Sequence, residues 1–202
     1  MATATTTTEP IDVRENIIAV GQRIFAAKGF SAVGLNEVLS AAGVPKGSFY
    51  HYFGSKDGFG EAILDSYFEG YLADLDETLA TPGLDSAQRL MKYWEIWQET
   101  QSFFDCQGKC LAVKLGAEVA DMSEVMRASL NRGTAGIIER LAGAVEAGVA
   151  DGSLAIQGDA RDMAESLYQL WLGASLMVKI VRNRQPFEAA MTTTRHLLQL
   201  EI

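Results

Sequence analysis

Between Gly43 and Lys56 the chain reads GVPKGSFYHYFGSK, a stretch whose residue types leave it little conformational choice. Upstream, Leu35, Val38, Leu39 and Ala42 recur at the spacing of one helical face, and Gly43 supplies the tight or left-handed turn that ends such a helix. Pro45 suits the first position of a new helix, because its missing N–H would be unsatisfied there in any case and its φ is already helical. The expectation is a short second helix over 45–50. Val44 and Phe49 can turn inward against Leu39, which leaves Lys46, Gly47, Ser48, Tyr50 and His51 outside. That outer face offers donors and no large aliphatic side chain, which suits a phosphate backbone and the edges of bases. Ser55 then fits an N-cap, and Phe59, Ile63, Leu64, Tyr67, Phe68, Tyr71 and Leu75 hold a helical period to about Leu79.

The same period fills the rest of the chain. A first helix starts near Asp12, carries Ile17, Val20, Gly21, Ile24 and Phe25 on one face, and stops at Lys28-Gly29. Thr81-Pro82-Gly83 is a break, and Ser86 restarts a helix with Leu90, Tyr93, Trp94, Trp97 and Phe104. A short helix follows over about 110–119, and a long one over about 123–149. Asp159 caps another that runs to about Asn183 and is apolar nearly all round its centre, so burial on more than one side is expected. Gln185-Pro186 breaks it, and a last helix spans 187–200. No strand pattern, GxGxxG loop or internal repeat occurs, so the chain reads as all-α. The opening MATATTTTEP is small, polar and Thr-rich, and residues 1–10 are expected to be a disordered tail. Residues 11–56 then form one helical domain and 57–202 a second.

The formal net charge of −9 argues at first against nucleic acid. The charges are unevenly divided, however. Residues 1–56 hold Arg14, Arg23, Lys28, Lys46 and Lys56 against Glu9, Asp12, Glu15 and Glu37, a balance of +1, so the remainder carries −10. The acidity sits in the second domain, where it limits unspecific DNA binding. No basic leader precedes an apolar run, and no apolar stretch approaches the ~20 residues that span a bilayer, so a soluble, cytoplasmic protein with no membrane contact is expected. Two cysteines, Cys106 and Cys110, are too few and too close for a disulfide framework. His51 and His196 stand in distant segments with no ligand spacing, so no metal is expected. No cofactor motif or catalytic constellation stands out, and the expectation is not an enzyme.

The run GLNEVLSAAGVPKGSFYHYFGSKDGF, residues 34–59, resembles the DNA-binding signature of the TetR family of transcriptional repressors. The resemblance implies an N-terminal three-helix helix-turn-helix domain and a C-terminal helical domain for ligand binding and dimerisation. It assigns major-groove roles to Lys46, Gly47 and Ser48 and backbone roles to Tyr50, His51 and Lys56, and makes Tyr52 and Phe53 core. Many members carry Thr where this chain has Val33-Gly34-Leu35, and Asn36 is the candidate substitute for that phosphate contact. The last two helices would pair with their copies in a homodimer. The implied partner is double-stranded palindromic operator DNA.

One stretch of the second domain, CQGKCLAVKLGAEVADMSEVMR, carries chemistry of its own. Gly108 interrupts the preceding helix and places Cys110 near the start of the next, where the helix dipole, Lys109 and Lys114 favour a thiolate. Together with LYQLWLGASLMVKI, this stretch resembles the electrophile- and oxidant-responsive repressors of the NemR type, which implies that Cys110 is the sensing cysteine. The same resemblance draws in Lys179, a single cation inside an apolar helix, as the group that faces Cys110 to stabilise its thiolate or capture its oxidised form. From the residues alone, Cys110 also reads as a small core hydrophobe and Lys179 as a snorkelling side chain. Cys106 is either a resolving thiol or merely local. Tyr93, Trp94, Trp97 and Trp171 either pack as core or line a ligand cavity. Two modes of release stay open: modification or oxidation of Cys110 by a small electrophile or oxidant, and reversible binding of an apolar or aromatic compound.

Overall fold

The computed structural model describes residues 12–101 and 110–200, so the Thr-rich start, Cys106 and Lys109 lie outside the described residues. Nine helices and no strands occur among the described residues, which makes the fold all-α as expected. Helix α1, Val13–Lys28, begins at Asp12, whose carboxylate accepts from the Arg14 N–H at 2.8 Å. Helix α2, Leu35–Ala42, ends where Gly43 takes φ 67° and Val44 N–H donates back to the Leu39 carbonyl at 3.1 Å. Helix α3 is Lys46–Phe53. Pro45 stands just outside it as an extended N-cap, and the helix runs three residues past the expected end at Tyr50. Phe49 and Phe53, one turn apart, anchor the same face, and Gly54 at φ 68° supplies the stop.

Helix α4, Lys56–Leu79, is capped by the Ser55 hydroxyl, which accepts from Gly58 N–H at 3.0 Å. The second domain continues with α5 (Ser86–Gln101), α6 (Leu111–Ala120), α7 (Glu124–Ala150), α8 (Ala160–Val181) and α9 (Gln185–Leu197). Asp159 caps α8 by accepting from the Arg161 and Asp162 amides. Pro186 lies in the first turn of α9 rather than before it, where a missing N–H costs nothing.

Helix α4 runs from the first domain into the second and packs along α7. A Cβ at Gly133 of α7 would overlap the Phe68 ring of α4, so the two backbones approach closely only because that residue is glycine. Gly21 lets α1 approach Phe59 of α4 in the same way. Helix α8 is buried through Tyr168, Trp171, Ala174, Ser175 and Val178. Burial on more than one side is not what a single chain has: Leu176, Met177, Ile180 and Val181 face outward, with Ile180 63 % exposed. Among the described residues, no helix of the same chain covers that side. No described helix is long and apolar enough to cross a membrane, and no metal-holding group of side chains occurs among the described residues.

Candidate nucleic-acid interface and thiol site

Helix α3 buries Phe49 completely and Phe53 nearly so, and both rings meet Phe59 of α4, at 5.1 and 4.8 Å between centroids. With that face fixed, Lys46, Gly47, Tyr50 and His51 are exposed and Ser48 is half-buried. Lys46 Nζ lies 5.8 Å from the Tyr50 ring centre. Open space lies beyond Gly47, so another surface can come close to the backbone there. Asn36 is exposed in the first turn of α2. Tyr52 corrects the expectation of a core residue, because it is 40 % exposed. Adjacent helical residues point about 100° apart, and Phe53 takes the interior direction.

Lys56, expected at a phosphate, is directed partly at its own chain. Its ammonium donates to the Phe30 carbonyl at 2.8 Å and sits over the Phe30 ring. Three donors on one ammonium leave capacity for a phosphate as well.

Cys110 is the N-cap residue of α6 and is 3 % exposed. Its side chain makes no capping hydrogen bond, although the start of the helix lies beside it. Burial pushes the thiol pKa above its ordinary value. The Val113 amide, the Tyr67 hydroxyl, the Ala112 amide and the Lys179 charge pull it down without overcoming burial. The expectation that the helix dipole, Lys109 and Lys114 favour a thiolate is therefore corrected: the resting group is a thiol. Of the two cations invoked for it, Lys114 instead acts on Glu118, and Lys109 lies outside the described residues. Lys179, half-buried on α8, is close enough for its charge to favour the thiolate. The Tyr67 hydroxyl is itself held neutral, first by burial and then by the neighbouring Cys110.

Beside this thiol lies a cavity of about 570 Å³. Its walls are Tyr67, Tyr71 and Leu75 from α4, Tyr93, Trp97 and Gln101 from α5, Leu111 from α6, and Gln22 and Arg23 from α1. The Tyr71 and Tyr93 oxygens are 2.8 Å apart, and the buried Gln101 Oε1 has no hydrogen-bond partner. Of the four aromatics expected here, Tyr93 and Trp97 are walls. Trp94 and Trp171 are not: they stack on each other at 5.0 Å and 12° in the core, and the Trp171 Nε1–H donates to Thr194 Oγ1 at 2.9 Å. Flat stacking of two fully buried indoles fills space that a ligand would need. Tyr67 and Tyr71 were legible as one face of α4, but nothing local to α4 says that this face borders a void.

Glu118, near the end of α6, has no local sequence signal that marks it as a contact between the domains. Its carboxylate accepts from the Phe30 N–H at 3.1 Å and the Ser31 N–H at 2.7 Å, in the turn between α1 and α2. Ser31 Oγ lies 3.3 Å from Met122 Sδ and within reach of the same carboxylate. The carboxylate is the stronger acceptor for its one proton. Partial burial raises the Glu118 pKa, but the Ser31 hydroxyl, the Ser31 and Phe30 amides and the Lys114 charge together leave it below the usual value.

Two family models match the chain. That of bacterial regulatory proteins, tetR family, matches residues 17–63, and that of the tetracyclin repressor-like C-terminal domain matches residues 86–194. The HTH-type transcriptional repressor NemR of Escherichia coli strain K12 is 40 % identical over 190 residues, covering 93 % of this chain and 94 % of that protein. The HTH-type transcriptional repressor DhaR of Mycobacterium sp. strain GP1 is 31 % identical over 180 residues, 89 % of each. The crystal structure of the reduced form of E. coli NemR superposes with a TM-score of 0.88 at 39 % identity, covering 93 % of this chain and 97 % of that one.

Proposed function

Because the chain belongs to the TetR family of bacterial regulatory proteins, we propose that it is a dimeric, cytoplasmic repressor that grips a palindromic operator through α3 and lets go when Cys110 is modified. The observation that carries the reading is the division of α3: Phe49 and Phe53 bolt it to α4, while Lys46, Gly47, Ser48, Tyr50 and His51 lie on the other side. Such a helix can enter a major groove without giving up its own packing. Lys46 and Ser48 would read base edges and Tyr50, His51, Lys56 and Asn36 would meet backbone. Two copies spaced at about 34 Å would engage successive grooves of one DNA face. With so few cations per subunit, tight binding needs both copies.

Release follows from the thiol. Ionised Cys110 adds to the electrophilic carbon of a quinone, forming a C–S bond, and the ring takes up the proton. With hypochlorous acid, the protonated form of hypochlorite, chlorine passes to sulfur and hydroxide leaves. The Lys179 nitrogen, once deprotonated, then displaces chloride from sulfur and gives up a further proton to solvent, leaving a neutral S–N bond. Either product adds atoms or a crosslink at the start of α6, where Cys110 is out of solvent. A shift of about 3 kcal/mol between the two conformations costs roughly two orders of magnitude in operator affinity.

A second reading keeps the repressor and replaces the thiol chemistry with a reversible aromatic ligand. The cavity favours it, since the unpartnered Gln101 Oε1 and the Tyr71–Tyr93 pair give a ring with a donor group something to bind. The test is operator binding, on DNA selected from a random pool, by wild type and Cys110→Ser before and after treatment with a quinone or hypochlorite. The thiol reading expects only wild type to leave. Equal departure of both defeats it in favour of the cavity, and failure to select any sequence defeats the repressor reading itself.

A further inference from the structure

The turn between α1 and α2 is held from two directions at Phe30. On one side Glu118 of α6 accepts the Phe30 and Ser31 amides; on the other Lys56 at the start of α4 donates to the Phe30 carbonyl. Gly29 makes the first grip possible. Its φ of 87° starts the turn, and a Cβ there would already stand 3.0 Å from Glu118 Oε2. The Phe30 side chain is buried against Phe25, with ring centroids 5.2 Å apart, so a displaced turn would drag the core of the first domain with it.

Helix α6 connects this grip to the thiol. Cys110 stands at its N-cap position and Glu118 lies eight residues on, which at the rise of a helix is about 12 Å along one rigid rod. Each carboxylate oxygen accepts one N–H of that turn, Oε2 from Phe30 and Oε1 from Ser31, so a movement of α6 that withdraws the carboxylate breaks both bonds together. We infer that Glu118 is the positioning residue through which the state of Cys110 reaches the operator-binding helices: with the thiol unmodified, its carboxylate fixes the α1–α2 turn, and modification withdraws it. The inference rests on the thiol-released repressor reading above.

The test measures operator affinity, before and after quinone treatment, for wild type, Glu118→Ala and Glu118→Gln, each checked for a cooperative thermal transition and for complete labelling of Cys110 by mass spectrometry. Glu118→Ala should bind operator about tenfold more weakly while unmodified, and its affinity should change less than about fivefold on labelling where wild type loses about a hundredfold. Glu118→Gln keeps one acceptor and should fall between. An alanine variant that folds, is fully labelled and keeps the wild-type ratio of affinities overturns the inference alone. If wild type shows no loss on labelling, the underlying reading fails instead. A merely structural glutamate would lower the thermal midpoint and leave that ratio intact.

Discussion

The Lys56 ammonium donates to the Phe30 carbonyl at 2.8 Å and lies 4.4 Å from the centre of the same residue's ring. A charge-assisted hydrogen bond and a cation–π contact made to one residue give Lys56 a role in folding beside any role at a phosphate. Lys56→Ala should lose about 1–2 kcal/mol of stability in urea unfolding, and should also weaken binding to every DNA sequence alike with a shallower salt slope. Lys46→Ala should leave stability unchanged, since its side chain is exposed, and cost about 1–3 kcal/mol on the operator alone. Unchanged unfolding of Lys56→Ala would remove the structural half of this account.

Cys110 sets a pH dependence whose sign follows from its burial. The folded chain holds the thiol proton more tightly than the unfolded chain does. The contribution to stability is therefore complete below the unfolded thiol pKa of about 8.5 and falls as pH climbs above it. The same shift keeps the nucleophile scarce at neutral pH. Peptide-resolved alkylation of Cys110 by iodoacetamide should accelerate roughly tenfold per pH unit from 7 to 9 without levelling off. A plateau below pH 8 would mean that the amides of α6 and the Lys179 charge outweigh burial after all.

Gly133→Ala tests the α4–α7 seam. On an exposed helix the change would gain about 1 kcal/mol, but here the new methyl must displace the buried Phe68 ring. The overlap should win, giving a net loss of about 1–3 kcal/mol in chemical denaturation. A stabilised variant would show that Phe68 can swing aside at little cost.

Short-range signals were legible and long-range ones were not. Ser55 and Gly43 act within a few residues of themselves, so their roles as cap and terminator could be read directly and the structure has both. Tyr52 and Phe53 are neighbours of similar character, and the aromatic run does not say which of two directions meets Phe59. The helix start at Cys110 is a local property, whereas its burial comes from distant residues such as Tyr67 and Tyr168 packing around it. Glu118 looked like one acid among many, because its partners at Phe30 and Ser31 stand 88 and 87 residues away. The cavity depended on which side of α5 turned toward α4, and Trp94 and Trp97 fall on different sides of that decision.

Ser175 joins α8, its own helix, to α5. Its hydroxyl accepts from Trp97 Nε1–H at 2.9 Å and donates to the Trp171 carbonyl at 2.8 Å, all out of solvent. Ser175→Ala strands the indole N–H and should cost about 1–3 kcal/mol. Urea titration followed by tryptophan emission checks it. Because Trp97 is also a cavity wall, the variant should alter the uptake of aromatic compounds while leaving Cys110 alkylation unchanged.

The outward face of α8 decides whether two copies work together. Leu176, Met177, Ile180 and Val181 form an exposed apolar stripe on a helix whose opposite side is core. Such a stripe is costly in water unless a partner covers it, and the remedy expected in this family is the same stripe on a second chain. Ile180→Asp puts a charge at the most exposed point of the stripe, where the single chain loses little but a paired interface would bury it unpaired. Sedimentation should then report monomers at concentrations where wild type is dimeric. Operator affinity should fall by at least about two orders of magnitude, because each half-site would be bound without the effective concentration that its linked neighbour supplies. A variant that remains dimeric and keeps its affinity would place the interface elsewhere and remove the geometric basis for two recognition helices one turn of DNA apart.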